Sequence, residues 1–241
     1  MKATMLVLIL FFGIMSCKNS DKNYEAPSSL EATDEIEPLQ DSKIPQIAQK
    51  IAKSNGFDNW DKISEIAFTF NVDRKGNHFE RSWVWNPKTK DILMISDKND
   101  TVSYNRTKMD SLAIKTDAAF INDKYWLLAP FQLLWDENLE YTTQETAVAP
   151  ISKDTLGKLT IVYPNEGGYT PGDAYDFFYD KNHLIKEWNY RKGNTAEPSL
   201  STTWGDYKNF NGVEIARMRR DSTGDFKLYF TDISIKTDSQ D

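Results

Sequence analysis

The sequence predicts an α+β fold, mainly antiparallel β: one large curved sheet of roughly ten strands whose concave face is covered by helices. Three observations carry this. Two runs, Glu65 to Val72 and Phe79 to Trp85, alternate in period two around a Gly-containing turn. Further runs rich in β-branched and aromatic residues recur at hairpin spacing, each bounded by turn chemistry. Only two stretches have helical character, and both carry apolar residues that need cover. With 241 residues, 39% hydrophobic and 13% aromatic, the chain can bury a core and is not disordered as a whole.

The first segment lies outside that fold. Residues 1 to 17 read MKATMLVLILFFGIMSC. Lys2 precedes an apolar run, Met5 to Met15, which is shorter than the roughly 20 residues a spanning helix needs and has the length of a secretory signal core. Ile14-Met15-Ser16-Cys17 resembles the bacterial lipobox, and Cys17 is the only cysteine. The resemblance implies a signal peptide over residues 1–16 and a diacylglyceryl group on Cys17, usually with an acyl group on its new amine. An ordinary signal peptide with an incidental cysteine is the alternative. Long acyl chains, at about 0.8 kcal/mol per buried CH2, anchor a protein almost irreversibly once two or three act together. Lys18 stands where Asp is a retention signal in some bacteria, so the expected address is the cell envelope, at the outer membrane.

From Lys18 to Lys43 seven acids accompany three bases, Ser and Pro are frequent, and no apolar period is sustained. Such a segment cannot bury enough apolar area to offset its ordering entropy. Residues 17–43 therefore read as the lipidated cysteine and an acidic tether, and residues 44–241 as one domain.

That domain opens on a helix. Ile44, Ile47, Ala48, Ile51 and Ala52 share one helical face, Ser42 suits the cap, Pro45 the first turn and Gly56 the end. In the first strand Ile66, Phe68, Phe70 and Val72 share a face; in the second, Phe79, Arg81, Trp83 and Trp85 do. Asp91 to Ser96 and Thr101 to Tyr104 continue the meander. Met109 to Asn122 reads as helical. Tyr125 to Trp135 is densely apolar, and Pro130 breaks any single helix through it. This run is core on one reading and a hydrophobic plug or lid on another. Strands resume at Leu156 to Tyr163, Ala174 to Tyr179, Leu184 to Arg191, Val213 to Arg220 and Phe226 to Ile235.

A lipobox, an acidic spacer, an N-terminal helix and a long antiparallel meander together resemble the lipoprotein carrier superfamily, the LolA/LolB-like half-barrels. More closely, the chain is similar to uncharacterised Gram-negative envelope lipoproteins of that fold. The pieces that carry the likeness are FINDKYWLLAPFQLLW (Phe120 to Trp135), YDFFYDKNHLIKEW (Tyr175 to Trp188) and DYKNFNGVEIARMRR (Asp206 to Arg220). The resemblance implies a half-barrel that holds an acyl chain or lipid in an apolar cavity between sheet and helices. The candidate lining residues are Phe68, Phe70, Trp83, Trp85, Phe177, Tyr179, Trp188 and Tyr190. The carriers also use an inner-face arginine to hold the helical lid shut, and Arg81 is the candidate for that lid contact. Alternatively, Arg81 is a surface residue whose stem covers a tryptophan.

Composition excludes several other classes. Lys+Arg 29 against Asp+Glu 36 gives a net charge of -7, which argues against a nucleic-acid partner. One cysteine excludes a disulfide framework, and two histidines leave little for a metal site. Nucleophile elbows, Walker loops, dinucleotide fingerprints and His-Glu-x-x-His are missing, so neither an enzyme nor a cofactor is expected. Asp173, Asp176 and Asp180 form a loose acidic set, read as loop and turn acids or, alternatively, as Ca2+ ligands. The standing alternative to the carrier is a non-enzymatic envelope scaffold with a filled core and a protein partner.

Overall fold

The structure, a computed structural model, describes residues 44–238. The signal peptide, Cys17, the tether and Ser42 lie outside the described residues. Helix α1 (Gln46–Ser54) starts from Pro45 at the N-cap and buries Ala48, Ile51 and Ala52. It ends as the sequence predicts: Asn55 caps it, donating to the Ile51 carbonyl at 2.8 Å, and Gly56 follows in the left-handed region at φ 92°. Any Cβ on Gly56 would lie 2.0 Å from the Gly212 carbonyl oxygen, so only glycine fits this approach. A 3-10 turn, Phe57–Lys62, then leads into the sheet.

The first hairpin forms in the register the alternation implies. In β1 (Ile63–Arg74) and β2 (Asn77–Asn86), Ile66 faces Trp85, Phe68 faces Trp83, and Phe70 faces Arg81. The meander continues through β3 (Asp91–Ser96) and β4 (Thr101–Asn105). After α2 (Ser111–Trp135) come β5 (Glu140–Val148), β6 (Thr155–Val162), β7 (Ala174–Tyr179), β8 (Ile185–Arg191) and β9 (Leu200–Thr203). The chain closes with β10 (Gly205–Phe210), β11 (Val213–Arg220) and β12 (Phe226–Thr237).

All ladders are antiparallel, and they divide into two sheets. One has seven strands in the order β10-β11-β12-β1-β2-β3-β4, the other five in the order β5-β6-β7-β8-β9. Neither closes on itself. The antiparallel class with covering helices holds, with a larger strand set than the alternation revealed. The additional strands are β5, β9 and β10, and each is an edge strand. An edge strand covers little, so its sequence lacks the apolar face that makes a strand readable. In β5 (EYTTQETAV) most side chains are exposed. A single residue, the buried Trp204, carries the chain from β9 in one sheet to β10 in the other.

Helix α2 serves both sheets. Asp110 caps it by accepting from the Ala113 N–H at 2.8 Å. Ala113, Phe120, Leu127, Leu128 and Phe131 join the core of the seven-stranded sheet, whereas Ala129 and Leu133 join the core shared by α1 and the five-stranded sheet. The expected break occurs at Leu128 (φ -123°, ψ 28°), two residues before Pro130. Proline has no N–H, so the Trp126 carbonyl four residues earlier loses its helical donor. The fully buried Arg219 on β11 supplies one, its Nη2 donating to that carbonyl at 2.7 Å.

This pairing generates a testable energetic cycle. Arg219→Met strands a buried carbonyl and should cost about 1–3 kcal/mol. In a Pro130→Ala background the helix can supply its own N–H, so the same substitution should cost less. Urea unfolding of the two single variants and the double variant measures the difference.

Candidate functional site

A cleft of about 460 Å³ opens between α2 and the five-stranded sheet. Its aromatic wall combines Tyr125 and Trp126 of α2 with Tyr175 of β7, Trp188 of β8 and Tyr163, which follows β6. These positions follow from local structure. Tyr175 and Trp188 point to the α2 side because successive strand residues alternate faces, and Tyr175 pairs opposite Tyr190. Trp126 meets Trp188 edge-on at 4.4 Å between ring centroids, and Tyr125 meets Tyr175 at 5.0 Å. Such pairs contribute about 0.5–1.5 kcal/mol each beyond their buried area. Gly168, Tyr169 and Thr170, from the segment before β7, line the opposite rim.

One end of the cleft is polar. Tyr163 Oη donates to Asp136 Oδ2 at 2.5 Å. With its amide oriented to meet complementary groups, Gln132 donates to Asp136 Oδ1 at 2.9 Å and accepts from Lys124 Nζ at 3.0 Å. The Lys124 ammonium also lies 5.9 Å from the Trp85 ring centroid and 5.5 Å from that of Trp135. Burial pushes Lys124 down to about 8, while Asp136 pulls it back. Burial likewise raises Asp136, against the opposing effects of the Tyr163 hydrogen bond and Lys124. Burial holds the phenols of Tyr125, Tyr163 and Tyr175 well above their ordinary value, so they stay protonated donors.

Two buried carboxylates tie the N-terminal part of α2 down. Asp123 accepts from Arg81 through both oxygens, with Nη2 to Oδ1 at 2.6 Å, and from Trp83 Nε1 at 2.8 Å. Asp117 accepts from Arg106 Nε at 2.9 Å and Nη2 at 3.2 Å, from Tyr104 Oη at 3.0 Å and from Tyr169 Oη at 3.2 Å. Arg81 therefore reaches from β2 to the helix, and Tyr169 reaches from the cleft rim to the same helix.

The eight candidate lining residues have different fates. Phe68, Phe70, Trp83, Trp85 and Phe177 are buried among core side chains; Trp83 and Trp85 both meet Phe120 of α2 edge-on. Trp188 lines the cleft, and Tyr190 lines a separate recess of about 370 Å³ with Arg74, Leu200 and Phe226. Tyr179 packs against Gly157, whose missing side chain leaves room for its ring. Lys124, Gln132 and Asp136 escaped the sequence reading. Their signal was present, as charged and amide groups inside an apolar helical run must find partners.

The acidic set is not brought together. Asp173 accepts from Tyr190 Oη and the Gly193 N–H, Asp176 from Thr160, Asn189 and Arg191, and Asp180 from the backbone of its own turn. Among the described residues no group of three or more His, Cys, Asp and Glu is placed to hold a metal ion. His78 is exposed and shared between Asp73 at 2.7 Å and Glu80 at 3.2 Å, which raise its pKa.

No family model and no curated protein matches the chain. Among solved structures it is similar to a DUF1329 family protein from Desulfovibrio piger, with TM-score 0.45 and 10% identity over 80% of this chain and 93% of that one. It is also similar to a LolA superfamily protein from Nitrosomonas europaea, with TM-score 0.42 and 7% identity over 78% of this chain and 93% of the other. A third is an outer membrane lipoprotein-sorting protein domain from Vibrio parahaemolyticus, with TM-score 0.44 and 9% identity over 81% and 93%. The architecture is open: two unclosed antiparallel sheets with one helix laid across both. No helix among the described residues is long and apolar enough to cross a membrane.

The lowered Lys124 pKa has a signed consequence. Between about pH 8 and pH 10 the unfolded chain holds a proton on this lysine that the folded chain has released, so stability should rise with pH. Above the ordinary tyrosine value of 10.0 the raised phenols oppose this, because the unfolded chain then loses protons that the folded one keeps. Arg219, lowered to about 9 by burial, adds to the rise above that pH, so Lys124→Met should flatten it between about pH 8 and pH 9, as measured by urea midpoints at half-unit pH steps.

Proposed function

We propose that this half-barrel is a non-enzymatic lipid-anchored protein of the cell envelope that holds an acyl chain or lipid. The observation that carries the proposal is the cleft between α2 and the five-stranded sheet. Its volume falls in the usual range for small-molecule sites, about 300–1,000 Å³, and its long wall is aromatic. Burial of an alkyl chain there would contribute about 25 cal/mol per Å² of apolar surface. Cys17, acylated and placed at the outer membrane, would anchor the chain, and residues 18–43 would give it reach. Lipid or lipoprotein trafficking is the process such a cleft would serve. Arg81 on Asp123 and Tyr169 on Asp117 would be the contacts that hold α2 and the cleft rim in place while a chain is bound.

A second reading has its own support. The hollow of the seven-stranded sheet is filled by Phe120, Leu127, Leu128 and Phe131, as a scaffold with a solid core requires. Leu112 and Ile114 on α2 are exposed at 58% and 57% and would suit a protein partner.

Ala118 lines the cleft from an exposed helix position, so a large side chain there can obstruct the cleft without disturbing the core. Protein purified from cells should carry lipid in native mass spectrometry. Ala118→Trp should reduce that occupancy at least about tenfold with little change in thermal stability, surface substitutions usually costing within ±0.5 kcal/mol. Lipid-free protein that also fails to take up added lipid would favour the scaffold.

A further inference from the structure

The polar end of the cleft is unbalanced. Asp136 already has both oxygens engaged, one by Tyr163 and one by Gln132. Lys124 is the opposite case. Its ammonium has three donors, and the partner found for it is the neutral oxygen of Gln132. No carboxylate lies within ion-pair distance of it among the described residues, and its remaining neighbours include the faces of Trp85 and Trp135. Arg106, the other cation on the lining, is paired with Asp117 through two nitrogens. On the wall, Trp188 Nε1 is buried without a hydrogen-bond acceptor, and Tyr125 Oη finds only the Tyr163 hydroxyl, itself turned to Asp136.

Unmet donors thus border the cleft, and the one lining carboxylate is engaged at both oxygens. A buried donor without an acceptor is costly, and a ligand that supplies the acceptor recovers that cost. The complement is an anionic, acceptor-rich group with an apolar continuation. We infer that the cleft selects amphiphiles with an anionic head, a carboxylate or a phosphate, which seats on Lys124 while the chain lies along Tyr125, Trp126, Tyr175 and Trp188. The inference rests on the apolar-ligand reading above and adds the head-group chemistry to it. The lowered Lys124 pKa agrees, since an ammonium short of counter-charge in a partly dry site gains most from an arriving anion.

The test uses the purified full chain and three probes of one chain length: dodecanoate, dodecyl phosphate and 1-dodecanol. Trp126 and Trp188 in the wall make tryptophan fluorescence the readout. Dodecanoate or dodecyl phosphate should bind about tenfold or more tightly than 1-dodecanol, the scale of a hydrogen bond to a charged group. Preference for one anion over the other distinguishes a carboxylate head from a phosphate head, and either supports the inference. Lys124→Met should bring the anions to the affinity of the alcohol and leave the alcohol unchanged. Lys124→Arg should keep the preference. Lys124→Gln serves as the neutral variant if the methionine form does not fold. Equal binding of all three probes to the native chain, or a preference that survives both neutral substitutions, overturns the head-group assignment and leaves the apolar cleft standing. Binding of none of the three removes the apolar reading and this inference together.

Discussion

The contact on which the rest of the structure depends is the one between Arg219 and the Trp126 carbonyl. Pro130 removes the N–H that would have satisfied that oxygen, and the helix departs from regular geometry at Leu128. A buried arginine from β11 fills the gap with Nη2, and its Nη1 holds the Ala216 carbonyl of its own strand. The guanidinium lies 3.8 Å from the ring centroid of Trp204, the residue at which the chain passes from one sheet to the other. Trp188 touches both Trp204 and Trp126. One cation therefore joins the kinked helix, the seven-stranded sheet and the crossing point to the five-stranded sheet. It does so without a carboxylate, and burial lowers its pKa to about 9, which still leaves it charged at neutral pH.

One helix serves two sheets by presenting different faces. Ala113, Phe120, Leu127 and Phe131 go to the core of the larger sheet, and Tyr125, Ala129 and Leu133 to that of the smaller one, with residues of both sets on each side of the break at Leu128. On the first side the aromatic load of β1 and β2 is met by helix side chains and the hollow fills. On the second side the rim carries Gly168 and Thr170, whose small side chains leave volume that large ones would occupy. The cleft has an aromatic wall and a rim in which small residues flank Tyr169, whereas the hollow of the larger sheet is filled.

Much of this was legible before any coordinates. The parity of the first hairpin was, because Phe68, Phe70, Trp83 and Trp85 alternate strictly and their face is buried. The face and glycine end of α1 were, and so was the break at Pro130, whereas Pro45, expected in the first turn, is the N-cap. The edge strands β5, β9 and β10 were not, since a strand paired on one side and wetted on the other leaves no apolar period to read. The division into two sheets was hidden for a related reason. It turns on a single residue, Trp204, whose neighbours in sequence look like an ordinary turn. The sequence leaves Arg81 open between an inner-face arginine and a surface one, and its partner Asp123 was not singled out, although an acid within FINDKYWLLAPFQLLW has to be paired if it is buried.

Charges on α2 divide the helix by purpose. Asp117 and Asp123 are fully committed: four donors converge on the first from three residues, and Arg81, Trp83 and Asn122 surround the second. A buried pair of this kind adds little stability over an apolar replacement, yet losing one partner costs several kcal/mol, so it fixes geometry more than it strengthens the fold. Lys124 stands next to Asp123 in sequence and turns to the cleft, where it meets an amide and two indole faces in place of an acid. The buried carboxylates of the helix are thus fully paired, whereas Lys124 is left without an ion-pair partner beside an aromatic wall. The volume of the cleft sets how large a ligand can be. The Lys124 charge sets which end of the ligand goes in toward Gln132.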